Sequence, residues 1–195
     1  MQSSFVIALL SLALASQAAG PKVSKQQGDT FMRKVAVIAA HDGKHKAQTR
    51  TPVNEAEVNS WFAYQAQPLL PKGVADPAVS ILGQGRVSGR AVVDLDAVAK
   101  KKSTGATLDP WSYIGGRVPV TVTGVLHTKD GKGRFELQSA QVSSIPVPKT
   151  LLQEMISYYS RSPNHPEGLS LDEPFTLPAN IRQIEVGQGQ AVIVQ

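Results

Sequence analysis

Two histidines four residues apart, His41 and His45, have the spacing of a metal-ligand pair. On a helix that separation puts both rings on one face, as a zinc site requires. Gly43 lies between them, Lys44 and Lys46 flank His45, and no third ligand is apparent, so the pair reads as a solvated loop end. Asp94 and Asp96 are the second candidate. They share one side of a strand-like segment, and paired carboxylates are the raw material of acid–base hydrolysis. On a polar strand face such a pair is ordinarily just solvated, and Asp172-Glu173 before Pro174 reads the same way. There is no Gly-x-Ser-x-Gly elbow, phosphate loop or dinucleotide fingerprint. Gly83-Gln84-Gly85 opens a turn between strands rather than a helix. The chain has no cysteine, which excludes thiol catalysis, disulfides and cysteine–zinc sites. The expectation is a protein that is not an enzyme and carries no cofactor or metal.

Lys100, Lys101 and Lys102 form a charge run, with Trp111 and Tyr113 close behind. A lysine near an anionic lipid surface is worth about 1 kcal/mol, and Trp and Tyr favour the membrane–water interface. These five residues are candidates for peripheral contact with an anionic membrane; the bland alternative is a solvated loop. Nucleic acid is a poor partner, because basic residues are not interleaved with several aromatics.

The chain of 195 residues, with 42% apolar and 6% aromatic content, has the composition of a globular domain. Phe5 to Ala15 is an apolar run of signal-peptide length, and Ser16-Gln17-Ala18 offers a cleavage site after Ala18. Residues 1–18 are therefore expected to be a signal peptide and 19–195 a single α+β domain, periplasmic or secreted. The segment before the run has no Lys or Arg, which is atypical, and the alternative is a buried N-terminal helix.

Asp29 to Ala40 has helical spacing in Phe31, Val35 and Ile38, with Asp29 or Thr30 as cap. Lys44 to Arg50 reads as a loop running into an edge strand. Asn54 and Glu57 have the three-residue offset of a capping box, and Val53 and Val58 that of a hydrophobic staple. Trp61, Phe62 and Ala66 continue that helix face until Pro68 and Pro71. From Val79 the period becomes two. Val79 and Ile81, then Val87, Ala91, Val93 and Leu95, then Val118, Val120 and Val122, and then Phe135 and Leu137 each line one strand face. Gly83-Gln84-Gly85, Asp130-Gly131 and Gly187-Gln188-Gly189 supply the turns. Ile145 to Tyr159 enters a helix at Pro148, with Leu151, Leu152, Met155, Ile156 and Tyr159 as its apolar stripe. The order α-α-β-β-β-β-α-β-β predicts an α+β fold: a strongly curved antiparallel sheet wrapped around one long amphipathic helix, with N-terminal helices.

Val53-Asn54-Glu55-Ala56-Glu57-Val58-Asn59, the run Val92-Val93-Asp94-Leu95, Val118-Pro119-Val120, Ile145-Pro146-Val147-Pro148 and Leu177-Pro178-Ala179-Asn180-Ile181 resemble the helix starts and hairpin openings of small exported proteins of tubular lipid-binding (TULIP-like) type, and of the LmeA-like phospholipid-binding proteins. The resemblance covers about Phe31 to Gln195. It implies a helix held in a curved sheet, with lipid in the apolar groove between them. Candidate groove residues are Trp61, Phe62, Val93, Leu95, Val120, Val122, Leu152, Met155, Ile156 and Tyr159. The chain departs from that type in being short and in having Asn54 where an acidic residue is commoner.

The expected function is binding, and carriage, of a phospholipid or other amphiphile in the bacterial envelope. An envelope scaffold with a closed core, recognising protein through a strand edge, is the alternative. A hydrolase using Asp94 and Asp96 is the third.

Overall fold

The computed structural model describes residues 22–43, 47–94, 96–97, 116–161, 166–168 and 170–195, the side chains of Met155, Tyr158, Tyr159 and Ser160 excepted. Residues 1–18, His45, Leu95, Lys100, Lys101, Lys102, Trp111 and Tyr113 lie outside the described residues.

Helix α1 spans Lys25–Ala39 and α2 spans Glu55–Tyr64. The expected start of α1 at Asp29 is four residues late. Ser24 is the cap, its Oγ accepting the Gln27 N–H at 3.3 Å, while its own N–H donates to Ser60 Oγ on α2 at 3.0 Å. The first turn, Lys-Gln-Gln-Gly, carries no apolar residue, so periodicity is blind to it. Asp29 instead accepts the Gln65 amide at 2.6 Å. At α2 the capping box is complete: Asn54 Oδ1 accepts the Glu57 N–H at 2.8 Å, and Glu57 Oε2 accepts the Asn54 N–H at 3.0 Å.

Among the described residues, nine strands form two antiparallel sheets. The smaller has the order β1 (Arg50–Asn54), β9 (Gln190–Val194), β8 (Gln183–Val186). The larger has the order β2 (Val74–Gly83), β3 (Arg86–Asp94), β4 (Arg117–Lys129), β5 (Lys132–Val142), β6 (Ile145–Pro146), with β7 (Phe175–Thr176) also on β5. The fold is thus α+β and antiparallel. Between β5 and β7 runs helix α3, Lys149–Ser160, with Pro148 as its cap. Leu152 on α3 is buried, and the helix lies against β5. The segment after it is tied back to it: Gln153 Oε1 accepts the Leu171 N–H at 2.7 Å, and Lys149 Nζ reaches Asp172 at 2.6 Å.

The free edge of β2 is occupied by α2. The Asn59 side chain donates to the Val79 carbonyl and accepts the Val79 N–H, both at 2.8 Å, and Glu55 accepts the Ile81 N–H at 2.8 Å. Side-chain groups thereby satisfy the backbone positions that another strand would otherwise fill.

The repeated tripeptide Gly-Gln-Gly makes two hairpin turns that meet. Gly85 donates to Val186, Gly189 donates to Ile81, and Leu82 bridges Gln188, so the two turns join the two sheets. Gly83, Gln84 and Gly85 all have positive φ (85°, 53° and 77°). A Cβ on Gly85 would lie 3.0 Å from Val125 Cγ1. Gly85→Ala is therefore expected to destabilise by about 2 kcal/mol, from left-handed strain plus crowding, read as a lower urea midpoint.

The tightly packed cluster lies at the smaller sheet. Ile38 from α1 meets Leu177 and Ile181, with Ala179, Ile184 and Ile193 against them. Gln195 closes it, its buried amide donating to the Ile38 carbonyl at 2.9 Å and the Ala179 carbonyl at 2.6 Å.

Candidate functional site

The register of the larger sheet sorts its residues by face. Val79, Ile81, Val87, Gly89, Ala91, Val93, Val118, Val120, Val122, Gly124, Leu126, Leu137, Ala140 and Val142 share one face. Ser80, Ser88, Arg90, Thr121 and Thr123 are on the other. A sheet whose apolar face is sealed is most buried at its centre. Here Ile81, Val118, Gly124 and Ala140 are buried, but Val79, Val87, Ala91, Val93, Val120 and Val122 are only partly so. Gly89 lies in the middle of this face, between Val79 and Val122 on the neighbouring strands. No described atom lies within 4 Å of the position a Cβ on Gly89 would take. A strip of aliphatic surface with open space at its centre can accept hydrocarbon, and it offers no group able to make or break a bond.

The predicted groove residues divide by location. Val93, Val120 and Val122 are on the apolar face, and Leu152 and the half-buried Ile156 belong to α3 beside β5. Trp61 turns toward α1, with ring centroids 5.6 Å from Phe31 and 5.1 Å from Phe62. Phe62 lines a separate groove of about 640 Å³ between α2 and β2, together with Asn59, Pro77, Ala78 and Arg90. Asp76 and Arg90 also border a smaller hollow of about 250 Å³ over Val92, Pro119 and Thr121. Leu95 and the side chains of Met155 and Tyr159 lie outside the described residues. Gly89 was missed by sequence reasoning. Its only signal was a glycine interrupting a valine-rich alternation, a pattern that also marks bulges.

The two aspartates do local work. Asp94 Oδ1 accepts the Ala97 N–H at 2.9 Å, and Asp96 Oδ2 accepts the Gly116 N–H at 3.0 Å. β3 ends at Asp94 and Asp96 lies in a helical turn beyond it, so the two do not share a strand face as expected. Of the two, only Asp96 ties the two ends of the β3–β4 connection together. Among the described residues, no three of His, Asp and Glu gather as a metal site, and no helix is long and apolar enough to cross a membrane.

One ion pair has a pH signature. Arg50 on β1 grips Glu185 on β8 through two contacts of 3.0 and 2.5 Å. The hydrogen bond from Arg50 holds the Glu185 carboxyl below its ordinary range, and the same bond raises the guanidinium. A depressed carboxylate stabilises the fold above its unfolded value and loses that contribution as pH falls through the folded value. The pair faces solvent, so the contribution is small. Melting temperature is expected to drop slightly more on acidification through the carboxylate range for the wild type than for Glu185→Gln, with the difference shrinking in high salt.

Fold and site together define an α+β protein of two joined antiparallel sheets with a partly open aliphatic face. Compared with protein-family models, with curated proteins and with solved structures, the chain matches none.

Proposed function

We propose that the chain is an exported, non-catalytic protein that binds a phospholipid or similar amphiphile through the aliphatic face of its larger sheet, in the bacterial envelope. The observation that carries this reading is the partly buried centre of that face, with open space over Gly89. Apolar surface is removed from water wherever packing permits, at about 25 cal/mol per Å², so a gap in the middle of an aliphatic face favours a guest. About ten buried methylenes would supply about 8 kcal/mol before ordering costs, enough for micromolar affinity.

The resemblance to TULIP-like and LmeA-like proteins supports the same reading, with the sheet curling toward α3 so that acyl chain lies between them. Three irregularities of register favour such bending: at Asp76-Pro77 and at Leu82 in β2, and where β5 passes Thr123 and Gly124 of β4. Residues 1–18 would direct export, and Lys100 to Lys102 with Trp111 and Tyr113 would meet an anionic membrane surface during delivery. The scaffold alternative, recognition through a strand edge, has less support because Asn59 and Glu55 already occupy the β2 edge. Solvent extraction of the purified protein followed by mass spectrometry is expected to return a lipid near one per chain. Absence of any stoichiometric amphiphile, together with failure to take one up from vesicles, would sink the carrier reading.

A further inference from the structure

At the turn that joins β4 to β5, like charges face each other. Lys129 is opposite Lys132, and one rung inward Arg134 adds a third cation opposite the imidazole of His127. Residues two apart on a strand share a face, so all four side chains project from the same side of the hairpin. Like charges directly opposed across an antiparallel pair destabilise it. The available carboxylates do not cancel this arrangement. Glu136 is taken by His127 at 3.0 Å, Glu185 is held by Arg50, and Asp130 sits in the turn itself. The side chains of Lys129, Lys132 and Arg134 make no hydrogen bond or ion pair with any described residue.

These residues lie beside a shallow groove of about 590 Å³ that Pro174 and β8, with Glu185, also line. β8 is held there because Thr128 Oγ1 donates to the Ile184 carbonyl and accepts the Ile184 N–H, both at 2.9 Å. Thr128 lies between His127 and Lys129 and so projects from the opposite side of the hairpin. β8 braces that side, and Lys129, Lys132 and Arg134 present cations on the other with no partner among the described residues. Rungs on one strand face are about 6.8 Å apart and the opposed residues about 5 Å apart. That lattice of positive charge suits neighbouring phosphate groups, with Arg134 offering a planar fork and the lysines point charges.

We propose that this cationic side of the hairpin binds a ligand carrying several phosphate groups, and that the opposed lysines are retained at a cost in stability for that purpose. The site is distinct from the aliphatic face around Gly89 and does not depend on it.

The test uses the purified protein with sodium tripolyphosphate in one arm and vesicles of phosphatidylglycerol, against phosphatidylcholine, in the other. Saturable binding is expected in at least one arm, weakening roughly tenfold between about 50 and about 200 mM salt. The arm that binds assigns the source as a soluble polyphosphate or a lipid headgroup. Lys132→Glu with Arg134→Glu is expected to weaken binding by more than about tenfold. The same variant is expected to melt about 2 °C higher than wild type without ligand, because it turns the repulsive Lys129–Lys132 pair into an attractive one. Lys132→Thr with Arg134→Gln serves as a milder pair should the reversal fail to fold. Arg90→Glu, on the same face but away from the hairpin, is expected to leave binding unchanged. The proposal is overturned if neither arm binds, if folded hairpin variants bind as wild type does, or if Arg90→Glu weakens binding as much as they do.

Discussion

Glu57→Ala is expected to cost about 4 kcal/mol and to lower the melting temperature by about 10 °C. Glu57 is 5% exposed and carries three loads. Its carboxylate receives Lys34 Nζ from α1 at 2.7 and 2.8 Å, and its Oε2 also accepts the Asn54 N–H. Lys34 Nζ donates in addition to the Pro52 carbonyl at 2.6 Å, so the ammonium is pinned between α1, β1 and α2. Removing the carboxylate leaves a partly buried cation without its counter-charge, opens the capping box and creates a void between two helices. Losing one member of a buried pair is the costly case, whereas removing both members is often tolerated. Glu57→Gln keeps the acceptor needed by the box and is expected to lose only about 1–2 kcal/mol. Urea unfolding of the two variants separates charge from cap. Equal stabilities for Glu57→Ala and wild type would show that the pair adds nothing to the fold.

The second large effect concerns ligand rather than stability. Gly89→Leu would add four carbons between Val79 and Val122, the first of them at a Cβ position with no described neighbouring atom within 4 Å. Displacing about four methylenes of a bound acyl chain removes about 3 kcal/mol, or about a hundredfold in Kd. The fold should not suffer. Gly89 sits in regular strand pairing, and a larger residue there loses less backbone entropy and adds aliphatic contact. The expected result is a fluorescent fatty-acid probe binding at least about tenfold more weakly, in a protein that melts at or above the wild-type temperature. Unchanged probe binding in the folded variant would mean that the face is not where amphiphile goes.

How much of this was legible beforehand depended on the range of the interaction. The Asn54–Glu57 capping box is four residues of local chemistry, and it appears as read. So do the turns at Gly83-Gln84-Gly85, Asp130-Gly131 and Gly187-Gln188-Gly189, because positive φ must be met by residues that tolerate it. The alternating valines of β3 and β4 fell on one face because the strand period is two. The start of α1 was misread because its cap, Ser24, is secured partly by Ser60 on another helix.

By itself, then, the sequence determined the α+β class, the hairpins, the apolar face of the larger sheet and the burial of Leu152 on α3. Those follow from dihedral preferences and side-chain periodicity, which act over a few residues. Only the tertiary structure decided that the two Gly-Gln-Gly turns dock on each other, that Asn59 finishes the edge of β2, that Phe62 leaves the predicted groove for another, and that no described atom comes within 4 Å of a Cβ at Gly89. Each of those depends on groups 20 or more residues apart in sequence meeting in three dimensions, and no local pattern encodes which distant partner arrives.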